Sequence, residues 1–294
     1  MSHYRSVFQP GLFAGRTVVV TGGGSGIGRC TAHELAALGA AVAIVGRKVE
    51  KLEAVRAEIE AAGGVCSTHA CDIREEEAVR ATVTGVLERH GRIDGLANNA
   101  GGQFPSPLAS ISAKGWDAVV RSNLTGGFLM ARECVTQWMG TDDAGDGCAA
   151  GAIVNIIADM WGGMPGMGHS GAARAGMLNF TETAALEWAP IRSNAVAPGW
   201  IASSGMDQYP PMMRDTIRGM SKLVPLRRLG TESEVSAAIV FLLSPAASFV
   251  SGACLRVDGA APNAKRIWPE VGTGGSTAPF DGFHLATMPK ILQD

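Results

Sequence analysis

Short apolar runs rich in β-branched residues alternate with longer, alanine-rich amphipathic segments along almost the whole chain. The runs are apolar along most of their length, which is typical of strands that are buried on both faces. Helical patterns lie between them, as in VEKLEAVRAEIEAAGG, EEEAVRATVTGVLERHG and ESEVSAAIVFLLS. The pattern predicts an α/β fold, a single doubly wound parallel sheet with helices on both faces. The predicted strands are 16–22, 41–46, 65–71, 92–101, 152–157, 193–199 and 254–259.

Three segments fall outside this alternation. Residues 200–230 lack a strong period and contain PP, GM and VPLRRLG, so we predict a substrate lid over the crevice at the strands' carboxyl ends. Residues 260–294 are punctuated by Pro and Gly and are expected to form an irregular tail, and 141–151 a solvated loop. The length of 294 residues suits one Rossmann-like domain, 1–294.

Composition narrows the class of function. A formal net charge of −2 gives no reason to expect nucleic acid or an anionic membrane as a partner. The six cysteines form no CxxC pair and the six histidines no HExxH motif, so we expect neither a disulfide framework nor a metal site. The N-terminus lacks the apolar core of a signal peptide, and no run is long enough to span a bilayer, so a cytoplasmic location is expected.

A glycine-rich turn, VVVTGGGSGIGRC, joins the first predicted strand to the first predicted helix. Gly22 allows a tight turn, Gly26 lets the backbone approach a pyrophosphate, and Gly28 lets helix and strand pack closely. The helix N-terminus adds N–H donors and the positive end of its dipole. This context predicts a dinucleotide site, which involves Gly22, Gly24, Ser25, Gly26, Ile27 and Gly28.

The end of the second predicted strand indicates which dinucleotide is bound. A carboxylate there would accept hydrogen bonds from the adenosine ribose of NAD, but this chain has Val45, Gly46, Arg47 and Lys48. A guanidinium can bind a 2′-phosphate, and no carboxylate repels that phosphate. We therefore predict that NADP(H) is the cofactor and that it is held by Arg47, with Arg29 as a second candidate that could assist.

Over roughly residues 12–260 the sequence resembles the short-chain dehydrogenase/reductase family. The motifs are TGGGSGIG, CDI, NNAG, SNLTGG, VAPGW and FLLSPAASFVSGACLRVDG, in the family's order. The resemblance implies a cofactor site in which Asp72 and Ile73 flank the adenine, Asn99, Ala100 and Gly101 line the cofactor, and Pro198 and Gly199 meet the nicotinamide carboxamide. It also implies a homotetramer.

The family's usual Ser, Tyr and Lys match Ile157, Ser170 and Arg174 in this chain. A serine hydroxyl is far less acidic than a phenol, and an arginine stays charged, so neither replacement copies the usual proton transfer. NNAGGQF, KGW, NLTGGF and HSGAARAG are similar to peroxisomal trans-2-enoyl-CoA reductases and, more loosely, to 2,4-dienoyl-CoA reductases. Leu178 stands where the enoyl-CoA reductases carry a tyrosine.

The narrower resemblance implies reduction of a C=C bond conjugated to a thioester. Hydride reaches the β-carbon and the charge appears on the thioester oxygen, which needs hydrogen-bond donors more than a strong acid. Arg174 is expected to hold the nicotinamide ribose, and Asn123 and Ser170 to donate to the thioester oxygen or hold a bridging water. Asp159, near where dienoyl-CoA reductases carry a tyrosine, is either an acid that protonates the α-carbon, with its pKa raised by the apolar Met160 and Trp161, or an exposed aspartate of the loop. His169 is either a proton source or a packed or solvated residue of the helix start.

These features predict an NADPH-dependent reductase of an α,β-unsaturated acyl-CoA. Several methionines and tryptophans occur in the loops that are expected near the crevice. They suit binding of an apolar acyl group but are equally compatible with packing inside the protein. The enzymatic alternatives are reduction of a ketoacyl or other carbonyl substrate and reduction of some other activated alkene. A catalytically silent NADP-binding scaffold or sensor is the alternative from another class.

Overall fold

The computed structural model describes residues 3–141, 151–263 and 275–293. Most of the predicted loop at 141–151, Cys148, and residues 264–274 of the predicted tail lie outside the described residues. Within the described ranges, no helix combines the length and apolar character that a membrane crossing requires.

Seven parallel strands form one sheet in the order β3-β2-β1-β4-β5-β6-β7. The strands are β1 Thr17–Thr21, β2 Ala41–Gly46, β3 Val65–Ala70, β4 Gly95–Asn98, β5 Ala152–Ile156, β6 Arg192–Pro198 and β7 Cys254–Val257. The predicted α/β class and all seven predicted strands are confirmed.

One predicted strand was much too long. β4 covers four residues of the predicted 92–101, and side chains contact the backbone at both of its ends. Before it, the Asp94 carboxylate accepts a hydrogen bond from the backbone N–H of Thr17 at 2.8 Å. After it, the backbone N–H groups of Asn99 and Ala100 donate to the Thr21 hydroxyl, each at 2.9 Å, so the chain turns away from the sheet.

Helices cover both faces of the sheet, as the pattern predicted. The described helices are α1 Gly26–Ala37, α2 Val49–Ala61, α3 Glu76–His90, α4 Ala113–Val120, α5 Gly126–Cys134, α6 Gly168–Glu187, α7 Arg214–Gly219 and α8 Glu232–Leu243. One core contains buried side chains of α1, α2 and α8, such as Leu35, Leu52 and Ile239. The other contains those of α3 and α5, such as Val83 and Met130. The strand order reverses direction between β1 and β4, which leaves a crevice at the carboxyl ends of the strands.

Residues 200–230 leave the sheet after β6 and return before α8, and we call this segment the lid after its predicted role. Its two ends pair through the backbone, Gly230 N to Trp200 O and Ala202 N to Gly230 O, each at 2.9 Å. Between them lie α7 and three short 3-10 turns. The lid has its own apolar cluster, in which Met206, Ile217 and Met220 are buried.

The described part of the tail contains two short 3-10 turns and packs against the rest of the protein. Ile291 is buried in the lid cluster, and its backbone N–H donates to the Asp207 carboxylate at 3.0 Å. Further back, Phe283 packs against α1, and its N–H donates to the Ser233 hydroxyl of α8 at 3.1 Å. The tail thereby ties the lid to the helical layer that contains α1 and α8.

Candidate active site

The glycine-rich turn between β1 and α1 has the close approaches that its sequence predicts. Gly22 and Gly26 have left-handed φ values of +68° and +58°. A Cβ at Gly28 would overlap the carbonyl oxygen of Gly22, so helix and turn pack at a distance that only glycine permits. Around Gly26 a Cβ would meet nothing closer than Oε1 of Glu232 at 3.8 Å. The turn therefore leaves an open approach to the N-terminus of α1, which suits a phosphate.

Arg47 follows β2 directly, and its side chain is exposed at the crevice edge. The neighbouring Asp72 carboxylate accepts a hydrogen bond from Arg74 at 2.9 Å. This bond and the charge of Arg47 outweigh the effect of desolvation and lower the pKa of Asp72 to about 2. Asp72 therefore stays ionised, and Arg47 retains a solvent-facing guanidinium. The following residue, Ile73, is buried against Gly126 at the start of α5.

Arg29 does not join this edge, so its suggested assistance to a 2′-phosphate is wrong. Its guanidinium binds both carboxylate oxygens of Glu58, each at 2.8 Å, and lies 5.1 Å above the ring of Phe283. The residue is occupied in attaching α2 and the tail to α1.

Arg174 lies on α6 with an incompletely satisfied guanidinium. Nη1 donates to the carbonyl oxygen of Ile156 at 2.6 Å, whereas Nε is buried and has no partner among the described residues. No carboxylate of the described residues compensates the charge, and burial lowers the pKa of Arg174 to about 10, so it is still protonated at neutral pH. A Cβ at Gly101 would come within 2.8 Å of Nη2. A buried cation with an orphan N–H is a suitable partner for ligand oxygens.

Asn123 lies beside Arg174, in a π-helical turn at 121–125 that joins α4 to α5. Such turns often occur at functional sites. Its amide binds the loop after β4 twice, with Nδ2 donating to Gly102 O at 2.7 Å and Oδ1 accepting from Gly102 N at 3.0 Å. The amide thus fixes this loop, a role that the sequence did not reveal, and the predicted donation to substrate would have to use its second N–H.

Ser170 is buried at the start of α6, and its hydroxyl donates to Oε1 of Gln103 at 2.7 Å. Nε2 of the same glutamine donates to the Tyr209 hydroxyl of the lid at 3.2 Å. The hydroxyl proton of Ser170 is therefore directed at Gln103 rather than at the crevice, contrary to the predicted donation. Gln103 and Tyr209 were not predicted as site residues.

His169 is the packed alternative rather than a solvated residue of the helix start. The side chain is buried, and its ring lies edge-on to Phe104, with the two ring centroids 4.5 Å apart. Its Nδ1 accepts a hydrogen bond from Ser170 N at 2.9 Å.

Ile157 is likewise buried and packs with Met177, so the position of the family's serine is part of the core. Leu178 is partly buried against the same cluster.

Asp159 lies just beyond β5, and its backbone N–H donates to Pro198 O at 3.1 Å. Burial and the nearby Asp258 carboxylate raise the pKa of Asp159 above the ordinary value for an aspartate. Asp258 accepts a hydrogen bond from Arg256 at 2.7 Å. The guanidinium carbon of Arg256 lies 5.0 Å from the centroid of the Trp161 ring. Burial and the charge of Asp258, rather than Met160 and Trp161 alone, cause the raised pKa, and the role of Asp159 as an acid stays a prediction.

Pro198 is the last residue of β6, and Gly199 lies between β6 and the lid. Gly199 N donates to Val257 O at 2.9 Å, and a Cβ on Gly199 would meet the backbone of Asp258 at 2.8 Å.

Glu232, at the start of α8, is a further residue that the sequence did not indicate. It accepts from the backbone of Ser204 and lies opposite Gly26, and burial raises its pKa to about 7.

The geometry fits a dinucleotide on three counts: the open glycine turn, the exposed Arg47 and the orphan N–H of Arg174. Within the part of the chain that the structure describes, no group of three or more His, Cys, Asp or Glu side chains is arranged to hold a metal ion. The five described cysteines are unpaired.

Comparison with known proteins agrees with this architecture. Residues 22–260 match a family model described as enoyl-(acyl carrier protein) reductase. The chain is 36% identical over 248 residues to a Bacillus subtilis (strain 168) protein named "Probable 2,4-dienoyl-CoA reductase", with 83% of this chain and 95% of that one covered. It is 35% identical to the peroxisomal 2,4-dienoyl-CoA reductase of Rattus norvegicus, with 88% of each chain covered.

A solved structure is similar at higher identity. It is that of a citronellol catabolism dehydrogenase from Pseudomonas aeruginosa PAO1, and it shares 61% sequence identity with a TM-score of 0.77 over 88% of this chain and all of that one. The protein therefore belongs to the short-chain dehydrogenase/reductase family. As a member of that family it is an oxidoreductase that uses a nicotinamide cofactor.

Proposed function

We propose that the protein is an NADPH-dependent reductase of an α,β-unsaturated acyl-CoA thioester. The observation that carries the proposal is that all three residues of the family's usual Ser, Tyr and Lys are replaced. Ser170 replaces the family's phenol and binds Gln103, Ile157 replaces its serine and is buried, and Arg174 replaces its lysine. This arrangement is poorly suited to protonating an alkoxide, whereas conjugate reduction needs a donor to the thioester oxygen and a separate acid for the α-carbon.

When bound, NADPH supplies the hydride that is added to the β-carbon of the substrate. The chain's own residues have separable roles. Backbone N–H groups at the start of α1 bind the pyrophosphate, Arg47 binds the 2′-phosphate, and Arg174 binds the nicotinamide ribose. Asp159 in its protonated form delivers a proton to the α-carbon, a role that its raised pKa supports.

The apolar composition of the lid favours a substrate with a hydrophobic acyl group. Met206 and Met220 are buried in it, with Trp200 and Met213 partly buried beside them, and thioether side chains adapt to irregular apolar shapes. Citronellol, after which the Pseudomonas relative is named, is a methyl-branched acyclic molecule. We therefore include methyl-branched acyl groups in the proposed substrate class. A homotetramer is the part of the proposal that the family resemblance alone supports, and a cytoplasmic location rests on the sequence pattern alone.

The experiment that tests this function follows the oxidation of NADPH with a panel of CoA thioesters. The panel contains straight-chain 2-enoyl, methyl-branched 2-enoyl, 2,4-dienoyl and 3-ketoacyl compounds. We expect turnover of one or more unsaturated thioesters and only background rates with the ketoacyl ones. Exclusive reduction of ketoacyl thioesters would instead identify a carbonyl reductase, and binding of NADPH without any turnover a scaffold or sensor.

The preference for NADPH gives a separate prediction at Arg47. Arg47→Ala should weaken NADPH binding roughly tenfold to a hundredfold, because a charge-assisted bond to a phosphate contributes about 1.5–3 kcal/mol. Binding of NADH should change little, because NADH has no 2′-phosphate. The dissociation constants of both cofactors are measured by fluorescence, and Arg80→Ala, which removes an exposed arginine of α3, is the matched control. Equal affinities of the unmutated protein for NADPH and NADH would refute the assignment.

A further inference from the structure

Gln103 joins the lid to the start of α6 through both ends of its amide. Oε1 accepts the proton of Ser170 at 2.7 Å, and Nε2 donates to the phenol oxygen of Tyr209 at 3.2 Å. The three residues come from separate parts of the chain: the loop after β4, α6 and the lid. The amide therefore brings a lid side chain next to the position where the family's phenol would otherwise stand.

The chain of hydrogen bonds has a direction. Ser170 donates to Gln103 and Gln103 donates to Tyr209, so the Tyr209 oxygen acts as an acceptor in this contact. A phenol also carries one proton to donate. Among the described residues, that proton has no hydrogen-bond acceptor, so it remains to donate to a molecule in the crevice.

The lid holds Tyr209 in a defined place. Its ring packs on the lid cluster around Met206 and Ile217, which includes Ile291 of the tail. The bond from Ile291 N to the Asp207 carboxylate anchors the turn that precedes Tyr209. The chain has only two tyrosines, and the other, Tyr4, is buried, with its hydroxyl donating to Glu34 at 3.1 Å. Tyr209 is thus the tyrosine hydroxyl that the structure brings to the crevice.

We propose that Tyr209 is a catalytic residue that donates a hydrogen bond to the thioester oxygen of the substrate, and that Gln103 positions it. The inference rests on the proposed function. As hydride is added to the β-carbon, the electron pair of the C=C bond moves toward the carbonyl and forms an enolate oxygen. The Tyr209 O–H stabilises that charge without transferring its proton, and the α-carbon receives a proton separately.

Two variants separate donation to substrate from a merely structural contact. Tyr209→Phe keeps the ring and removes the donor. Gln103→Glu keeps a partner for Tyr209 but has no N–H to donate, so the phenol proton turns toward the glutamate and away from substrate. Because loss of an oxyanion donor commonly lowers kcat by about 10²–10³, we expect both variants to lose roughly a hundredfold in kcat with little change in the dissociation constant of NADPH.

A spectroscopic readout tests the contact without turnover. Saturated hexanoyl-CoA labelled with ¹³C at the carbonyl is bound to the NADP⁺-loaded protein, and its carbonyl stretch is measured by infrared difference spectroscopy. A hydrogen bond from Tyr209 lowers this frequency, and the shift should be lost in Tyr209→Phe and Gln103→Glu. In Tyr4→Phe, which removes the other phenol, the shift and kcat should be unchanged although the melting temperature falls.

Hydrogen exchange of the lid supplies the remaining distinction. Gln103→Glu should leave exchange of residues 200–230 close to that of the unmutated protein, because a Glu–Tyr bond replaces the Gln–Tyr bond. An unshifted carbonyl in the unmutated protein, or an equal shift in Tyr209→Phe, would overturn the assignment of Tyr209. A Tyr209-dependent shift in a protein that reduces no unsaturated thioester would retain it and refute only the proposed reaction.

Discussion

Replacement of Arg174 by alanine is expected to weaken NADPH binding roughly tenfold to a hundredfold and to slow hydride transfer. The reason is the unfilled hydrogen-bonding capacity of a buried cation: Nε has no partner among the described residues, and Nη1 is bound only to the carbonyl of Ile156. Charge-assisted bonds to ribose oxygens contribute about 1.5–3 kcal/mol each. Fluorescence titration gives the binding constant, and single-turnover kinetics with saturating NADPH gives the hydride-transfer rate.

The stability of the same variant distinguishes a ligand-binding role from a structural one. Burial lowers the pKa of Arg174 because no anion compensates its charge, so folding gains little from this side chain. We therefore expect Arg174→Ala to keep the melting temperature of the apoprotein, and Arg174→Lys to retain part of the binding and part of the rate. A large fall in melting temperature with unchanged NADPH affinity would show that the residue is structural.

Asp159→Asn is expected to lower kcat for the unsaturated thioester by roughly 10²–10⁴, the usual contribution of a general acid. In the unmutated enzyme the acid must be protonated, so kcat should fall as the pH rises through the raised pKa of Asp159. The amide does not titrate, and this falling limb should disappear in the variant. The pH profile of kcat, measured from the ordinary aspartate pKa upward, shows both effects.

The neighbour Asp258 provides a matched test of the cause. Its charge raises the pKa of Asp159, and it also binds Arg256, which acts in the opposite direction. Asp258→Asn should therefore shift the falling limb of the pH profile to lower pH. An unchanged pH profile in Asp159→Asn would exclude Asp159 as the acid.

The same raised pKa makes a prediction about folding. Since ionised Asp159 is disfavoured in the folded state, the unmutated protein should lose free energy of unfolding as the pH rises from the ordinary aspartate pKa through the raised one. Asp159→Asn should lack this particular loss. Denaturant unfolding of both proteins across that pH window measures the difference.

The sheet could be predicted from the sequence because most of its strands are apolar along most of their length, a signal that is local. The glycine turn was predictable for a similar reason, since left-handed φ values such as those at Gly22 and Gly26 favour a residue without Cβ. The length of β4 was not, because the Thr21 hydroxyl turns the chain away after Asn98 through contacts with residues far away in the sequence.

Side-chain partners over long sequence separations account for what the sequence missed in the site. Arg29 stands close to the glycine turn in sequence, but its bidentate bond to Glu58 directs it to α2. Gln103 meets Ser170 and Tyr209 only after the loop, α6 and the lid have packed together. Nothing in the local pattern around Gln103 or Tyr209 indicates that pairing. The small number of tyrosines was the one available signal.

The measurement that tests the central claim most directly is the destination of the transferred hydride. The protein is incubated with NADPH deuterated at C4 of the nicotinamide and with an unsaturated acyl-CoA, and the product is analysed by mass spectrometry and NMR. We predict one deuterium at the β-carbon and a proton from solvent at the α-carbon. Deuterium found only on a carbinol carbon, when a ketoacyl-CoA is supplied, together with none in any unsaturated thioester, would contradict the account.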